Sequence, residues 1–337
     1  MTLVDTVFSD HPDLATQISA KMEHLEQRLT EIVTGSDAFS DAVTSHLALA
    51  GGKRLRPLLC FTTALLGPNP DHPHVLDAAL SVELTHLASL YHDDVMDEAP
   101  LRRGVPTAQR LYGNSAAIMA GDVLFSRAST VILHLGMNAM QAHADAFERL
   151  CLGQLRETAG VREGEDRITH YLEVLVGKTG SLIALSAWHG VMAAGGDQEL
   201  AAKLAEYGER IGVAFQLADD VIDLISDSEL TGKTPGTDLL ENVDTMPTLL
   251  LQKHAEAGML DQAGFEILEL LNGCQLTEGE NLKRALNQLR EHPVVEETKQ
   301  LARKWAREAL DCLQDVPDGA VKDALTSFAH AMVDRMA

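Results

Sequence analysis

Residues 75–96 read VLDAALSVELTHLASLYHDDVM, and this stretch decides the fold class. Apolar side chains fall at Val75, Ala78, Ala79 and Val82, the i, i+3, i+4, i+7 spacing of a helix buried along one face. The same spacing recurs at 15–34, 115–135 and 200–226, with Ala and Leu dominating and strand-like alternation scarce. Pro and Gly gather between these segments, at GPNPDHP (67–73), EAPLRRGVP (98–106), AGG (194–196) and GKTPG (232–236), and mark loops. The pattern predicts an all-α protein, and with no linker-like shift in composition, one domain over 1–337. The stretch EGENLKRALNQLREHP (278–293) is more polar and reads as peripheral.

The balance of charge narrows the partners. Fifty acidic side chains against 27 basic ones leave a net charge of −23 over 337 residues. Phosphate backbones are bound by surplus Lys and Arg, so nucleic acid is excluded as a partner, as is a membrane surface reached through a basic stripe. Aromatic content of 4 % argues against single-strand stacking. Cys60, Cys151, Cys274 and Cys312 lie far apart, without metal spacing, and read as reduced thiols. The opening MTLVDTVFSDHPDL has no secretion-signal pattern, and no uninterrupted apolar run reaches 18 residues. The expectation is a cytoplasmic protein without a transmembrane segment.

Two acidic clusters carry the chemistry. In YHDDVMDEAPLRRG (91–104), Asp93 and Asp97 are one turn apart on a helix face, and Asp94 lies about 100° around. Three like charges this close repel, and a divalent cation between Asp93 and Asp97 removes that cost. Oxygen-only ligands suit Mg²⁺, which keeps waters and shares its shell with substrate phosphates. Arg102 and Arg103 follow directly, well placed to hold a diphosphate. For this cluster alone, a solvated acidic face balanced by arginines is the more common reading. FQLADDVIDL (215–224) makes that account poorer, because Asp219, Asp220 and Asp223 repeat the spacing inside an otherwise apolar helix.

GGKRLRP (51–57) is the densest basic cluster, with Lys53, Arg54 and Arg56 after two glycines and before a helix-starting proline. It reads as a second anion pocket or as a solvated turn. A nucleotide is the rival ligand for such a pocket. GKT occurs at 177–179 and 232–234, but a P-loop needs a glycine where Leu172 and Asp227 stand, and no GxGxxG opens a βαβ unit. Two anion sites with Mg²⁺ and no nucleotide motif point to diphosphate esters.

The order GGKRLRP, ELTHLASLYHDDVMDEAPLRRGVPT, GKTGSLI, FQLADDVIDL, GKTPGTDL resembles the trans-isoprenyl diphosphate (polyprenyl) synthases, above all the bacterial long-chain ones. The resemblance runs from about residue 45 to 250. It implies an isoprenoid-synthase-type helical bundle around a deep central cavity and a homodimer. It also implies head-to-tail condensation of isopentenyl diphosphate with an allylic diphosphate, with about three Mg²⁺ per active site when substrate is bound. By motif, Asp93 and Asp97 would ligate Mg²⁺ with Asp94 supporting them. Asp219 would hold a further Mg²⁺, with Asp220 and Asp223 as direct or water-mediated partners. Arg102, Lys178 and Lys233 would contact the allylic diphosphate, while Lys53, Arg56, His86 and Arg103 would cradle isopentenyl diphosphate. Thr179 and Gln216 would line the reacting centre. Two positions depart from the family pattern: Val243 replaces a common lysine, and Gln154 follows Gly153 where many relatives have glutamate.

Product length follows from what lies before Asp93, since the resemblance implies that the chain descends along that helix. Ser89 and Ala88 are small where early-stopping relatives carry aromatics, and Thr85, Val82 and Ser81 add no plug. About 10 Å of open face favours a product of about six or more isoprene units. Tyr91 and Phe125 remain as side chains that could narrow the path. So long a product also implies transient membrane contact at release. A geranylgeranyl-type synthase shares every motif and is the main alternative. A terpene cyclase has no use for GGKRLRP, and a non-catalytic partner subunit would be expected to lose aspartates.

Overall fold

The computed structural model describes residues 2–225, 236–240, 243–273 and 279–336. In chain order the helices are α1 (Leu3–Val7), α2 (Pro12–Val33), α3 (Ala38–Leu49), α4 (Leu55–Ala64), α5 (Pro73–Met96), α6 (Ala108–Tyr112), α7 (Asn114–Ile132), α8 (Met137–Ala159) and α9 (Arg167–Leu175). After them come α10 (Ser181–Ala193), α11 (Gln198–Ile225), α12 (Thr237–Leu240), α13 (Met246–Glu256), α14 (Gln262–Gly273), α15 (Glu280–Glu291), α16 (Pro293–Asp311) and α17 (Ala320–Val333). The chain forms two compact units. The first is Met1–Leu150, Ser181–Glu209 and Leu310–Phe328; the second is Cys151–Gly180, Arg210–Ala309 and Ala329–Ala337.

The first unit is built on α5, which is buried nearly all round and packs against α2, α4, α7 and α10. The helix begins where the His72 ring accepts the His74 N–H and Pro73 fills the first turn. It ends where the Asp97 N–H bonds to the Asp93 carbonyl at 2.8 Å, just before Glu98 takes a positive φ of 50°. A two-stranded hairpin follows, β1 (Leu101–Arg102) against β2 (Val105–Pro106). Its two turn residues, Arg103 and Gly104, have φ of 55° and 77°, the positive values a tight hairpin turn requires. Strands this short leave no periodicity, which is why the all-α reading of the sequence missed them.

One helical segment, Asn114–Leu135, is long and apolar enough by composition to cross a membrane. Asp122 and Arg127 interrupt its run of apolar residues in the sequence. Ala117, Ala120, Gly121, Leu124 and Ala128 are buried on one side, and α7 lies against α5.

The KRLR run is divided by its backbone. Arg54 caps α4 in the left-handed conformation (φ 47°) and turns inward. There it donates to Glu83 at 2.9 Å, to both Glu26 oxygens at 2.6 and 3.1 Å, and to the Ala48 carbonyl at 2.9 Å. Arg54 and Glu83 form a buried ion pair.

In the second unit the later part of α11 lies in the core, through Val213, Leu217, Val221 and Leu224. α15, within the stretch read as peripheral, also enters this core. Leu282, Ala285, Leu286 and Leu289 recur at helical spacing and are buried, while the charged residues between them give the segment its polar average.

Removing one partner of a buried ion pair leaves the other uncompensated. Arg54→Met should therefore destabilise the protein by about 3–5 kcal/mol, whereas Lys53→Ala, at an exposed position, should shift stability by no more than about 0.5 kcal/mol. Thermal unfolding of the two variants checks this.

Candidate active site

In the first unit the end of α5 sorts its carboxylates by helical phase. Asp94 is 1 % exposed and points into the protein, while Asp93 is half-buried and Asp97 is exposed. Arg102, delivered by β1, donates to Asp94 Oδ1 through Nε at 2.7 Å and Nη2 at 2.6 Å, leaving Oδ2 without a hydrogen-bond partner. Burial pushes the Asp94 carboxyl up, and Arg102 offsets part of that. The Gln109 amide donates to the Asp94 and Ala99 carbonyls, fixing the helix end. Arg102, expected on a diphosphate, is thus engaged with Asp94.

The hairpin turn brings Arg103 to the glycines of GGKRLRP. Its guanidinium donates to the Leu47 carbonyl at 2.9 Å and to the Gly51 carbonyl. A Cβ at Gly52 would stand 2.9 Å from the Arg103 guanidinium carbon, and the φ of 147° there favours glycine. His86, one α5 face away, is held well below the usual histidine range by burial, then by Arg56, Arg103, Arg102 and Arg54. Burial pushes Arg56 down to about 10, still a cation at neutral pH. Arg56, Arg103 and His86 therefore share one electropositive region, and Lys53 is exposed beside Arg54 in sequence. Tyr91, read from the sequence as an aromatic able to narrow the product path, faces α3 instead, donating to the Val43 carbonyl at 2.5 Å. Phe125 packs on Phe147 at 4.4 Å and on His92 at 5.5 Å.

In the second unit, GKTG forms a single π turn, Val176–Gly180, a distortion common at functional sites. Gly153 and Gly212 admit it closely: a Cβ at Gly153 would stand 2.7 Å from the Lys178 nitrogen, and one at Gly212 2.7 Å from Gly180 Cα. Lys178 pairs with Glu157 at 2.6 Å, and Thr179 Oγ1 donates to Gln216 Oε1 at 3.4 Å. On α11, Asp219 accepts from Arg335 at 2.6 Å, and that guanidinium also lies 4.4 Å over the Phe215 ring. Asp220 is 2 % exposed and accepts from the Tyr171 hydroxyl at 2.7 Å and the Met246 N–H at 3.0 Å, both through Oδ2. Asp223 accepts from the Gly236 N–H through its carbonyl at 3.0 Å and from the Asp238 N–H at 3.4 Å. Val243 is exposed. Lys233 lies outside the described residues.

A family model described as polyprenyl synthetase matches residues 38–286. A nonaprenyl diphosphate synthase of Mycobacterium tuberculosis is 40 % identical over 322 residues, covering 95 % of this chain and 94 % of its own. The chain belongs to the polyprenyl synthetase family. Solved structures agree on the fold. A polyprenyl synthase from Caulobacter crescentus, complexed with calcium and isoprenyl diphosphate, superposes with a TM-score of 0.86 at 30 % identity, over 99 % of this chain and 98 % of that one. A geranylgeranyl pyrophosphate synthase from Corynebacterium glutamicum, with calcium and isoprenyl diphosphate, gives 0.84 at 35 % identity, over 96 % and 98 %.

Three partners in this polyprenyl synthetase escaped the sequence reading. Arg335 and Tyr171 meet the second aspartate motif from far along the chain, and Glu157 meets Lys178 from an exposed helix face. No local pattern marks such contacts.

Burial pushes the Asp220 carboxyl up to about 7, with Tyr171 and Met246 pulling the other way. Its folded value lies above its unfolded one of 3.8, so between those values the folded state holds a proton the unfolded state has lost. Stability in that window falls as pH rises. Asp220→Asn keeps an acceptor and removes the charge, so it should raise the melting temperature of metal-free protein more at pH 8 than at pH 5. Calorimetry at the two values checks this, and an equal effect would contradict it.

Proposed function

We propose that this enzyme condenses isopentenyl diphosphate head-to-tail onto an allylic diphosphate, repeatedly, to make a long-chain all-trans polyprenyl diphosphate. The observation that carries the reading is the paired aspartate motifs, each with its second carboxylate buried and its first and third half-buried or exposed. The long-chain relative and the small residues Ala88 and Ser89 before Asp93 support the length.

The donor set fits Mg²⁺. Among the described residues no three His, Cys, Asp or Glu groups form a ready-made cage. A cation that retains waters and takes substrate phosphate oxygens needs only one or two carboxylates. Asp93 and Asp97 present such oxygens, and the Arg335 guanidinium on Asp219 shows that this carboxylate takes a positive partner. When bound, Mg²⁺ neutralises the diphosphate and makes it a better leaving group.

The chain's own groups do the rest. Lys178, Arg102 and Lys233 hold the allylic diphosphate, and Lys53, Arg56, Arg103 and His86 hold isopentenyl diphosphate. The neutral His86 ring supplies a directional hydrogen bond without another charge. As the allylic C–O bond breaks, diphosphate leaves with the electron pair, and the isopentenyl double bond attacks the allylic cation. A proton is then lost from the isopentenyl-derived carbon to the departing diphosphate. The Thr179 and Gln216 dipoles steady the positive charge meanwhile.

We also assign the enzyme to the cytoplasm, supported by the free thiols Cys60 and Cys151. A homodimer is supported by Ile118, Met119 and Leu133, exposed on and beside α7.

Turnover by the purified chain with Mg²⁺ and labelled substrates tests the reading. Asp93→Ala and Asp219→Ala should each lower it by about 100-fold or more, and Ala88→Phe should shorten the product. Near-normal turnover in both aspartate variants would sink the metal-site assignment.

A further inference from the structure

Phe215 and Asp219 stand one turn apart on α11, so their side chains share a helix face. A single guanidinium covers both. Arg335 donates to Asp219 Oδ1 through Nη2 at 2.6 Å and lies 4.4 Å over the Phe215 ring. Its Nε also donates to the Met332 carbonyl at 3.4 Å. The Arg335 side chain is 23 % exposed and that of Asp219 38 %, so the pair is partly shielded from water. The turn that carries Arg335 is itself fixed. After α17 ends at Val333, a 3-10 turn spans Asp334–Met336. Val333 and Met336 are buried in the same apolar core as Val213, Leu217 and Val221 of α11. Arg335 is thus held from both sides and aimed at the helix that bears the second aspartate motif.

An ordinary surface ion pair is weak, because two long side chains lose freedom in making it and water screens it. Here the ring beneath the guanidinium and the anchored turn reduce both losses. The consequence is a competition. An Asp219 oxygen that accepts from a guanidinium at 2.6 Å is engaged, and a divalent cation brought to the same carboxylate meets the repulsion of a positive charge a few ångströms away. The carboxylate assigned to a metal therefore has its competitor within the same compact unit of the chain.

We propose that Arg335 is a positioning residue that guards Asp219. In the substrate-free enzyme its guanidinium holds the carboxylate, and it must leave before a divalent cation can be ligated there. A diphosphate brings oxygens of its own to the cation and tips the exchange. The second aspartate motif is then loaded together with substrate rather than ahead of it. This rests on the metal reading of Asp219 given above, and it adds a residue that lies outside every motif.

The test titrates Mn²⁺, which like Mg²⁺ prefers carboxylate oxygens, into substrate-free protein and follows the bound ion by electron paramagnetic resonance. Wild type is compared with Arg335→Gln and with Arg303→Gln, which removes an equal charge from an exposed pair with Glu296. Arg335→Gln should bind Mn²⁺ about fivefold more tightly than wild type, and Mn²⁺ should raise its melting temperature by more. Arg303→Gln should stay within about twofold of wild type, since exposed charges are screened. Adding Asp219→Asn to Arg335→Gln should abolish the gain. Unchanged or weaker Mn²⁺ binding by folded Arg335→Gln overturns the guard. So does an equal gain in Arg303→Gln, or a gain that survives Asp219→Asn. If Arg335→Gln fails to fold by circular dichroism, Phe215→Leu, which keeps the charge and removes the ring beneath it, carries the same expectation. A wild type that binds no Mn²⁺ even with inorganic diphosphate present overturns the metal-site reading instead.

Discussion

Carboxylates placed close together on apolar helices must be compensated, and this constraint organises the functional residues. Both aspartate motifs resolve it alike. The second carboxylate of each, Asp94 and Asp220, turns inward and takes its partners through one oxygen: Asp94 Oδ1 from Arg102, Asp220 Oδ2 from Tyr171 and the Met246 N–H. The first and third of each stay half-buried or exposed. A step of one residue rotates about 100° around a helix, so of two adjacent aspartates one is buried while its neighbour stays half-buried. In a chain of net charge −23, cations are few, and Arg102, Lys178 and Arg335 each hold an acidic partner.

The basic side shows the same economy. GGKRLRP looks like one cluster in sequence, yet Arg54 is a buried structural ion while Arg56 joins Arg103 and His86. Gly52 matters because Arg103 lies against it, linking two motifs some fifty residues apart.

Much of this was legible in the sequence because it is periodic or local. The long helices appear where apolar spacing put them: α5 begins two residues earlier than read and ends at Met96 as expected. The inward turn of Asp94 follows from helical phase. The hairpin was not legible, since two-residue strands carry no pattern, and neither was the burial of α15, whose charges masked four apolar positions. Nor could the contacts of Arg335 with Asp219 and His143 with Thr85 be read, because they join distant segments through tertiary packing alone. The family was more legible than the packing behind its motifs: motif order alone indicates it, whereas the partners of Asp219 and Asp220 come from segments that no motif marks.

The account's central claim is that this chain alone elongates a prenyl diphosphate to long products. Its most direct test is the product profile of purified wild-type protein given Mg²⁺, farnesyl diphosphate and labelled isopentenyl diphosphate. Alcohols of about thirty carbons or more, from the open helix face before Asp93, are the expected result. A profile that stops at about twenty carbons, or contains no prenyl product, would contradict it.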